Sequence, residues 1–196
     1  LNQLVGKDDH IIKVKMTDSQ SSLYGDIIEK HMIRRTQINK AKKNKNKEVD
    51  TIDLTVDTEK IIRNIGASEA NNIFTALRKA ANHPLLLRVH YSDDSILDII
   101  ATICYSTGHF GEQCDIKRIK NEISEMSDFD INSICLEYPS QLGHLQLKSE
   151  VLYESPKMRK LEKLLPQLIE NGHRMLIFSQ WTKMLDIIGA LMEDMG

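Results

Sequence analysis

The sequence predicts an α/β protein that is mainly helical and that begins a parallel sheet layer near residue 174. Two observations carry this prediction. Residues 155–195 show the pattern helix, buried strand, helix, which is the repeating unit of a doubly wound α/β layer. Several earlier segments show helical spacing of apolar residues and end at proline or glycine breaks. With 196 residues, of which 41% are hydrophobic and 28% charged, the chain is long enough to bury a core.

The first predicted elements are a short strand and a long helix. Apolar and basic side chains alternate over residues 10–16, which is the period of a half-buried strand. Thr17 and Gln20 then stand three residues apart, as the two members of a capping box do. The apolar positions of the helix that follows are Leu23, Tyr24, Ile27, Ile28, His31 and Met32. We expect this helix to fray where it enters the next segment.

That next segment, residues 30–47, is strongly basic. It holds eight of the 26 Lys and Arg residues and none of the 28 acids. Such a block is either a solvated surface insertion or a binding site for a polyanion, including a nuclear-import or nucleic-acid role. Binding to DNA would be nonspecific and salt-dependent, and would not involve base stacking because no aromatic residue interleaves the charges. The candidate nonspecific contacts are Arg34, Arg35, Lys40, Lys42 and Lys43.

A second helix is predicted between Ser68 and Pro84. Ser68 is its predicted N-cap, and the apolar residues that follow recur at helical spacing up to Ala81. Pro84 ends it, because the residue before a proline is pushed out of the helical conformation. We interpret Asn82, His83 and Pro84 as a structural turn.

Residues 92–150 predict a helical connector. One amphipathic helix covers residues 96–103, and a second is capped by Ser127 with Asp130 and ends before Pro139. The adjacent acids at 8–9 and 93–94 are predicted to lie in solvated loops, because neighbouring positions do not converge on one site.

The last segment, residues 151–196, has the most regular pattern. Ser155 as N-cap, Pro156 at the first helical position and Gly172 just past the end mark a helix at both termini. The continuous apolar run at 174–178 predicts a strand buried on both faces of a parallel sheet. A second helix begins at Thr182. The chain ends at residue 196 with this layer barely begun, since one or two strands do not make a stable open sheet.

The end of this predicted strand has a functional geometry. Ligands of open α/β sheets gather at the carboxyl ends of the strands, and a helix that starts there offers free amides to a phosphate. Ser179, Gln180 and Thr182 add short hydrogen-bonding groups, and Lys183 adds charge. The alternative interpretation is an ordinary N-cap with polar neighbours that face solvent.

Several kinds of chemistry are excluded by the sequence. It has no Gly-x-x-x-x-Gly-Lys-Ser/Thr loop, no Gly-x-Gly-x-x-Gly, no Gly-x-Ser-x-Gly and no His-Glu-x-x-His, so no catalytic residue is assigned. Three cysteines at 104, 114 and 135 suit neither a disulfide framework nor a zinc site, which favours an intracellular protein without a metal. No apolar run is long enough for a membrane span. The first residues lack a signal-peptide pattern, and the chain looks cut from something longer.

Three separated blocks resemble the Swi/Snf-type chromatin-remodelling ATPases. They are Leu77–Leu86 with its Asn-His-Pro turn, Ser155–Met158, and Gly172–Gln180 continuing to Ile187. They stand in the family's order and at its distances. Within the family, Glu125–Asp130 and Leu145–Leu147 look like the SMARCAD branch.

The resemblance implies part of a P-loop, helicase-like motor with two RecA-like lobes. Residues 1–16 would be the strand that crosses into the second lobe, although the family's usual leucine-proline pair is replaced here by Leu4-Val5-Gly6. Residues 17–91 would be the helical protrusion and brace with the basic insertion at 30–47, and 92–150 the helical connector. Residues 151–196 would begin the second RecA-like lobe.

The parent protein would then be a nuclear, DNA-dependent ATPase that uses ATP and Mg²⁺ and acts on double-stranded DNA and on nucleosomes with their histones. The resemblance places such proteins in heterochromatin maintenance and in the processing of broken DNA ends. The residues that match its DNA-phosphate contacts are Ser179, Gln180, Thr182 and Lys183, with Lys157 before the strand.

The sites for ATP and Mg²⁺ would lie outside this chain, so we expect residues 1–196 alone to bind neither and to lack activity. In isolation the fragment is also expected to be poorly soluble or to self-associate, because sheet edges and apolar helix faces would be exposed. The alternative is a non-catalytic helical module that binds DNA or a protein.

Overall fold

The computed structural model describes residues 6, 8–45, 68–111 and 113–196, and at 38–45 and 68–72 it describes the helical backbone without the side chains. Short 3₁₀ turns lie at Pro84–Leu86, Gly143–Leu145 and Ser149–Glu154. The helices are α1 (Asp18–Lys45), α2 (Ser68–Asn82), α3 (Asp94–Thr107), α4 (Ile116–Glu125), α5 (Asp128–Glu137), α6 (Pro139–Leu142), α7 (Pro156–Glu170) and α8 (Thr182–Met195).

Helix α1 differs from its prediction at both ends. Thr17 Oγ1 accepts the Gln20 N–H at 3.2 Å, which is one half of the predicted capping box. The other half is wrong, because the Gln20 side chain donates to the carbonyl of Ala80 in α2 instead of returning to the start of α1. The expected fraying in the basic segment is also wrong, since α1 continues to Lys45. Residues 26–45 contain neither Gly nor Pro and are rich in Lys and Arg, which are strong helix formers.

Helix α2 packs against α1 and ends at Asn82, as the following proline predicts. Ser68 is its first helical residue rather than the residue before it. The interpretation of Asn82, His83 and Pro84 as a turn agrees with the structure, because Pro84–Leu86 forms a 3₁₀ turn that follows α2 directly.

The connector, residues 92–150, has its own core. The capping box of α5 is present in both directions between Ser127 and Asp130. Asp93, predicted to lie in a loop, is instead the N-cap of α3, where its Oδ1 accepts the Ser95 N–H at 2.9 Å. Helix α4 was not predicted at all. The core is formed by α3, α4, α5 and α6 together with Tyr91. Its buried residues are Tyr91, Ile100, Ala101, Cys104, Ile119, Ile123, Ile131, Ile134, Cys135 and Leu142.

A second core joins α7 and α8 to the 3₁₀ turns after α2 and before α7. Both predicted ends of α7 are confirmed, because Ser155 Oγ accepts the Lys157 N–H at 3.3 Å and Gly172 has a φ of +74°. The φ at Gly172 lies in the left-handed region that glycine enters without strain. The buried members of this core are Leu85, Leu86, Met158, Met184, Ile187, Ile188 and Leu191.

The predicted strands are not formed by the described residues. Residues 173–179 have no regular secondary structure, and Leu176 and Phe178 are 85% and 86% exposed. Residues 10–16 also lack strand pairing, and Ile11 is 86% exposed. A strand is held by hydrogen bonds to a neighbouring strand, and the part of the chain that the structure describes offers none. The prediction of a strand buried on both faces is therefore wrong here, and the sheet stays a prediction.

Among the described helices, none is both long and apolar enough to cross a membrane.

Candidate nucleic-acid interface

The carboxyl end of α2 joins two distant parts of the chain. Pro84 has no N–H, so the carbonyl of Ala80, four residues earlier, has no helical partner. The Gln20 side-chain amide donates to that carbonyl at 2.6 Å. Ser155 Oγ donates to the carbonyl of Asn82 at 2.7 Å. The end of α2 is thus completed by α1 on one side and by the start of α7 on the other.

His83 fixes the turn that follows α2. Its ring is fully buried, and its Nδ1 accepts the Leu85 N–H at 3.1 Å. Nε2 therefore carries the proton and donates to the carbonyl of Leu152 at 3.0 Å. Burial lowers the pKa of His83 to about 4; the bond to Leu152 opposes this shift and the nearby His90 adds to it. The ring is neutral at pH 7, so it links two backbone segments and does not bind an anion.

Lys157, the predicted phosphate contact that precedes the predicted strand, lies beside the junction of α2 with α7. It is exposed on the first turn of α7, and its Nζ donates to Asn82 Oδ1 at 2.6 Å. Nearby, Lys79 Nζ stands 5.9 Å from the ring centroid of Trp181, a distance at which a cation is attracted to an aromatic face. The end of α2 therefore contacts both the start of α7 and the segment before α8.

Ser179, Gln180 and Thr182 lie where α8 begins. Ser179 Oγ accepts the Trp181 N–H at 3.1 Å, while Gln180 and Thr182 are exposed. Trp181 is the N-cap residue, and no side chain caps the helix. A helix start without a side-chain cap leaves its first N–H groups to solvent or to a ligand. Because the predicted strand is not formed here, these residues share a helix start but not a sheet edge.

Lys183, in contrast, has an acidic partner. Its Nζ contacts Asp130 Oδ2 on α5. The same oxygen accepts the Ser127 N–H at 3.0 Å and the Ser127 hydroxyl at 2.7 Å. Burial alone would raise the pKa of the Asp130 carboxyl, but the hydrogen bonds from Lys183 and Ser127 lower it below its ordinary value. The connector thereby holds the start of α8 through an ion pair that the sequence did not predict.

Asp128, two residues earlier, is a structural residue that the sequence does not reveal. It is fully buried, and its carboxylate accepts the N–H groups of Val89, His90 and Tyr91 at 2.7, 2.7 and 3.1 Å. Its own N–H donates to the carbonyl of Leu87 at 2.8 Å. The segment after α2 is thus fixed to the first turn of α5. The acids around Ser127 indicated only a helix cap, since no spacing in a sequence shows which distant amides a carboxylate will accept.

Known proteins resemble this chain along its whole length, although no protein-family model matches it. Protein CHROMATIN REMODELING 19 of Arabidopsis thaliana is 32% identical over 196 residues, which is 100% of this chain and 24% of that protein. ATP-dependent helicase fft3 of Schizosaccharomyces pombe is 35% identical over 129 residues, 66% of this chain and 14% of that protein. ATP-dependent helicase FUN30 of Saccharomyces cerevisiae is 29% identical over 201 residues, 100% of this chain and 16% of that protein.

A solved structure agrees with these relatives. The crystal structure of the C-terminal part of the Fun30 ATPase domain matches with a TM-score of 0.68 and 25% identity, over 92% of this chain and 54% of that one. The chain is homologous to a segment of the SWI/SNF-related, Fun30-type helicases. The family predicted from the Asn-His-Pro, Ser-Pro-Lys-Met and Phe-Ser-Gln blocks is confirmed. The chain spans a quarter or less of each of the three Fun30-type relatives, 24%, 14% and 16% of their lengths.

The three sequence blocks that resemble the family meet at one place in the structure. They are far apart in sequence, yet the structure joins them at the end of α2, through Asn82 with Ser155 and Lys157, and through Lys79 with Trp181. Of the predicted phosphate contacts, Lys157 lies in this junction, and Gln180 and Thr182 flank Trp181 in the chain.

The basic candidates lie on another element. Arg34 and Arg35 are exposed on α1. The side chains of Lys40, Lys42 and Lys43 fall outside the described part of the structure, although their backbone belongs to α1. A cavity of about 500 Å³ between α1 and α2 is lined by Ile27, Lys30, His31, Ile33, Arg34, Gln37 and Ile73. This face of α1 is thus partly basic and partly apolar.

Among the described residues, neither a nucleotide nor a metal ion has an evident site. Two of the relatives are named as ATP-dependent helicases, but this sequence has no phosphate loop that could hold ATP by itself. Within the described residues, no group of His, Cys, Asp and Glu could hold a metal ion. Burial raises the pKa of the Cys104 thiol to about 11 and also raises that of Cys135, so both thiols stay protonated.

Proposed function

We propose that this chain is the central segment of an ATP-dependent, double-stranded DNA translocase that remodels nucleosomes in the nucleus. The observation that carries the proposal is the likeness of 92% of the chain to the C-terminal part of the Fun30 ATPase domain. The parent protein would act in heterochromatin maintenance and in the processing of broken DNA ends. It would bind ATP and Mg²⁺ with segments other than this chain and contact histones while it moves DNA.

In this proposal the chain supplies DNA contacts and a rigid frame. Gln180, Thr182 and the uncapped start of α8 would receive a DNA phosphate, with Ser179 shaping the turn before it. Lys157 would add a cation, because its partner Asn82 is neutral and leaves its charge uncompensated. The frame is the end of α2, where Gln20 and Ser155 hold α1 and α7 in fixed positions. The basic α1 would add nonspecific attraction to the DNA backbone.

The test is the ATPase rate of the native, full-length protein, recovered from cells with an antibody raised against this chain. The rate is measured without DNA, with duplex DNA and with nucleosomes. We expect duplex DNA and nucleosomes to stimulate it strongly. A full-length protein that hydrolyses ATP at the same rate with and without DNA would contradict the proposal.

Two lysines of α7 make the test specific to the site. Lys157→Ala should weaken DNA stimulation and make the slope of log binding constant against log salt shallower by about 0.9, the amount expected for one lost phosphate contact. Lys160→Ala is the matched control, because Lys160 is exposed one turn along the same helix and lies outside the junction. Equal effects of the two substitutions would remove Lys157 from the DNA site.

A second candidate function is a non-catalytic helical module that binds DNA or a protein. The observation that favours it is that the described residues form two helical cores and no sheet. A full-length product without ATPase activity that still binds DNA or a protein would support this alternative.

A further inference from the structure

Two of the predicted phosphate contacts have partners of different charge. Lys157 Nζ donates to the neutral amide oxygen of Asn82 at 2.6 Å and keeps its full positive charge. Lys183 Nζ contacts the carboxylate of Asp130, which cancels its charge locally. A polyanion approaching this surface is therefore attracted to Lys157 and meets a neutral pair at Lys183.

The carboxylate of this pair is fixed, while the lysine is free to move. Asp130 is anchored by the backbone N–H and the hydroxyl of Ser127, and its side chain is 21% exposed. Lys183 has a long, flexible side chain that is 51% exposed. When a phosphate takes the lysine, Asp130 therefore cannot follow and is left without its cationic partner.

We propose that Asp130 is a positioning residue whose carboxylate competes with DNA phosphate for Lys183. The connector helix α5 thereby limits how tightly this segment holds DNA. The inference rests on the proposed function. Every DNA-binding event that uses Lys183 must break its pair with Asp130. Release between successive steps along the DNA is made easier by the same carboxylate, which takes the lysine back.

The test measures DNA binding of the full-length protein to a fluorescein-labelled duplex by anisotropy over a range of salt concentrations. The informative variants are Asp130→Gln and Asp130→Glu. Both keep the capping box of α5, since Glu and Gln are the usual partners of an N-cap serine, but only the first removes the charge. The remote control is Asp98→Asn, which breaks an exposed ion pair in which Lys120 Nζ lies 2.7 Å from Asp98 Oδ1.

We expect Asp130→Gln to tighten DNA binding about two- to fivefold at low salt, the range that corresponds to an exposed ion pair. The salt dependence should steepen by up to about one phosphate contact. Asp130→Glu and Asp98→Asn should bind as the wild type does. In a Lys183→Ala background, the gain from Asp130→Gln should disappear, because the lysine that it frees is absent.

Two results would overturn the inference. One is wild-type affinity of Asp130→Gln, and the other is a gain that persists in the Lys183→Ala background or appears equally in Asp98→Asn. Either result leaves the proposed function intact as long as the wild-type protein shows DNA-stimulated ATPase. A wild type without DNA binding and stimulation would instead refute the proposed function, and the inference with it.

Discussion

The buried carboxylate of Asp128 gives the sharpest prediction on stability. It holds three consecutive backbone N–H groups, those of residues 89–91, and so ties the segment after α2 to α5. Asp128→Ala would leave these donors without their acceptor. Asp128→Asn would keep one oxygen and replace the other by an amide group that cannot accept.

The size of the effect follows from the geometry. A hydrogen bond to a charged acceptor contributes roughly 1.5–3 kcal/mol, and three bonds to one carboxylate are not additive. Tyr91 is a buried residue, whereas Val89 is exposed and His90 is half-buried, so that water can reach their N–H groups more easily once the carboxylate is gone. We therefore expect Asp128→Ala to lower the local opening free energy by about 3–5 kcal/mol. Asp128→Asn should lower it by about 1–3 kcal/mol, since the amide oxygen can still serve Val89 and His90.

Hydrogen–deuterium exchange of the full-length protein measures this directly, because it reports the opening of individual segments. Each 1.4 kcal/mol corresponds to a tenfold faster exchange, so the amides of residues 89–91 should exchange at least a hundredfold faster in Asp128→Ala. The amides of α8 should change less. Asp98→Ala, at an exposed position of α3, is the control. Unchanged exchange at 89–91, or a larger effect of Asn than of Ala, would refute the reasoning.

Three further predictions concern the end of α2. The pKa of His83 lies at about 4 in the folded protein, against 6.5 ordinarily, so folding favours the neutral ring. This preference contributes about 3 kcal/mol of stability above pH 6.5. The contribution is lost as the pH falls towards 4. Urea unfolding midpoints over this pH range should show that loss in the wild type and a flatter profile in His83→Asn. Gln20→Leu removes the donor to the Ala80 carbonyl and should cost about 1–3 kcal/mol in the same unfolding assay. Ser155→Ala removes both the N-cap of α7 and the bond to the Asn82 carbonyl and should cost about 1–2 kcal/mol, with Ser155→Thr close to wild type.

Local signals in the sequence were sufficient for several helix ends. Ser155 with Pro156 and Gly172 marked α7, and Ser127 with Asp130 marked the start of α5, because a cap is completed by residues within one turn. Helix α4 shows the weakness of this approach. Its Ile116, Ile119 and Ile123 have helical spacing, but its N-cap residue Asp115 makes no side-chain bond. The capping signal at the start of this helix is therefore weak, and the helix is not predicted.

Contacts between distant segments could not be predicted. Gln20 was expected to close a capping box, but a buried carbonyl 60 residues away is the better partner because it has no other donor. The strand at 174–178 was predicted from its apolar run alone, and that run does not determine whether a neighbouring strand is present to pair with it. The lysines at 157 and 183 are predicted as phosphate contacts, and the sequence does not show that they also contact Asn82 and Asp130, which lie 75 and 53 residues away.

The missing N–H of Pro84 has a consequence for how the chain can be divided. Helix α2 cannot complete its own end, and the two donors that complete it stand 60 and 73 residues from the carbonyls they serve. Any shortened version that lacks either residue 20 or residue 155 exposes a backbone carbonyl in what should be the interior. The loops that these two bonds close, of 60 and 73 residues, are both long, so we expect the end of α2 to become ordered late in folding. The refolding rate measured at this helix end would therefore report how fast the whole segment assembles.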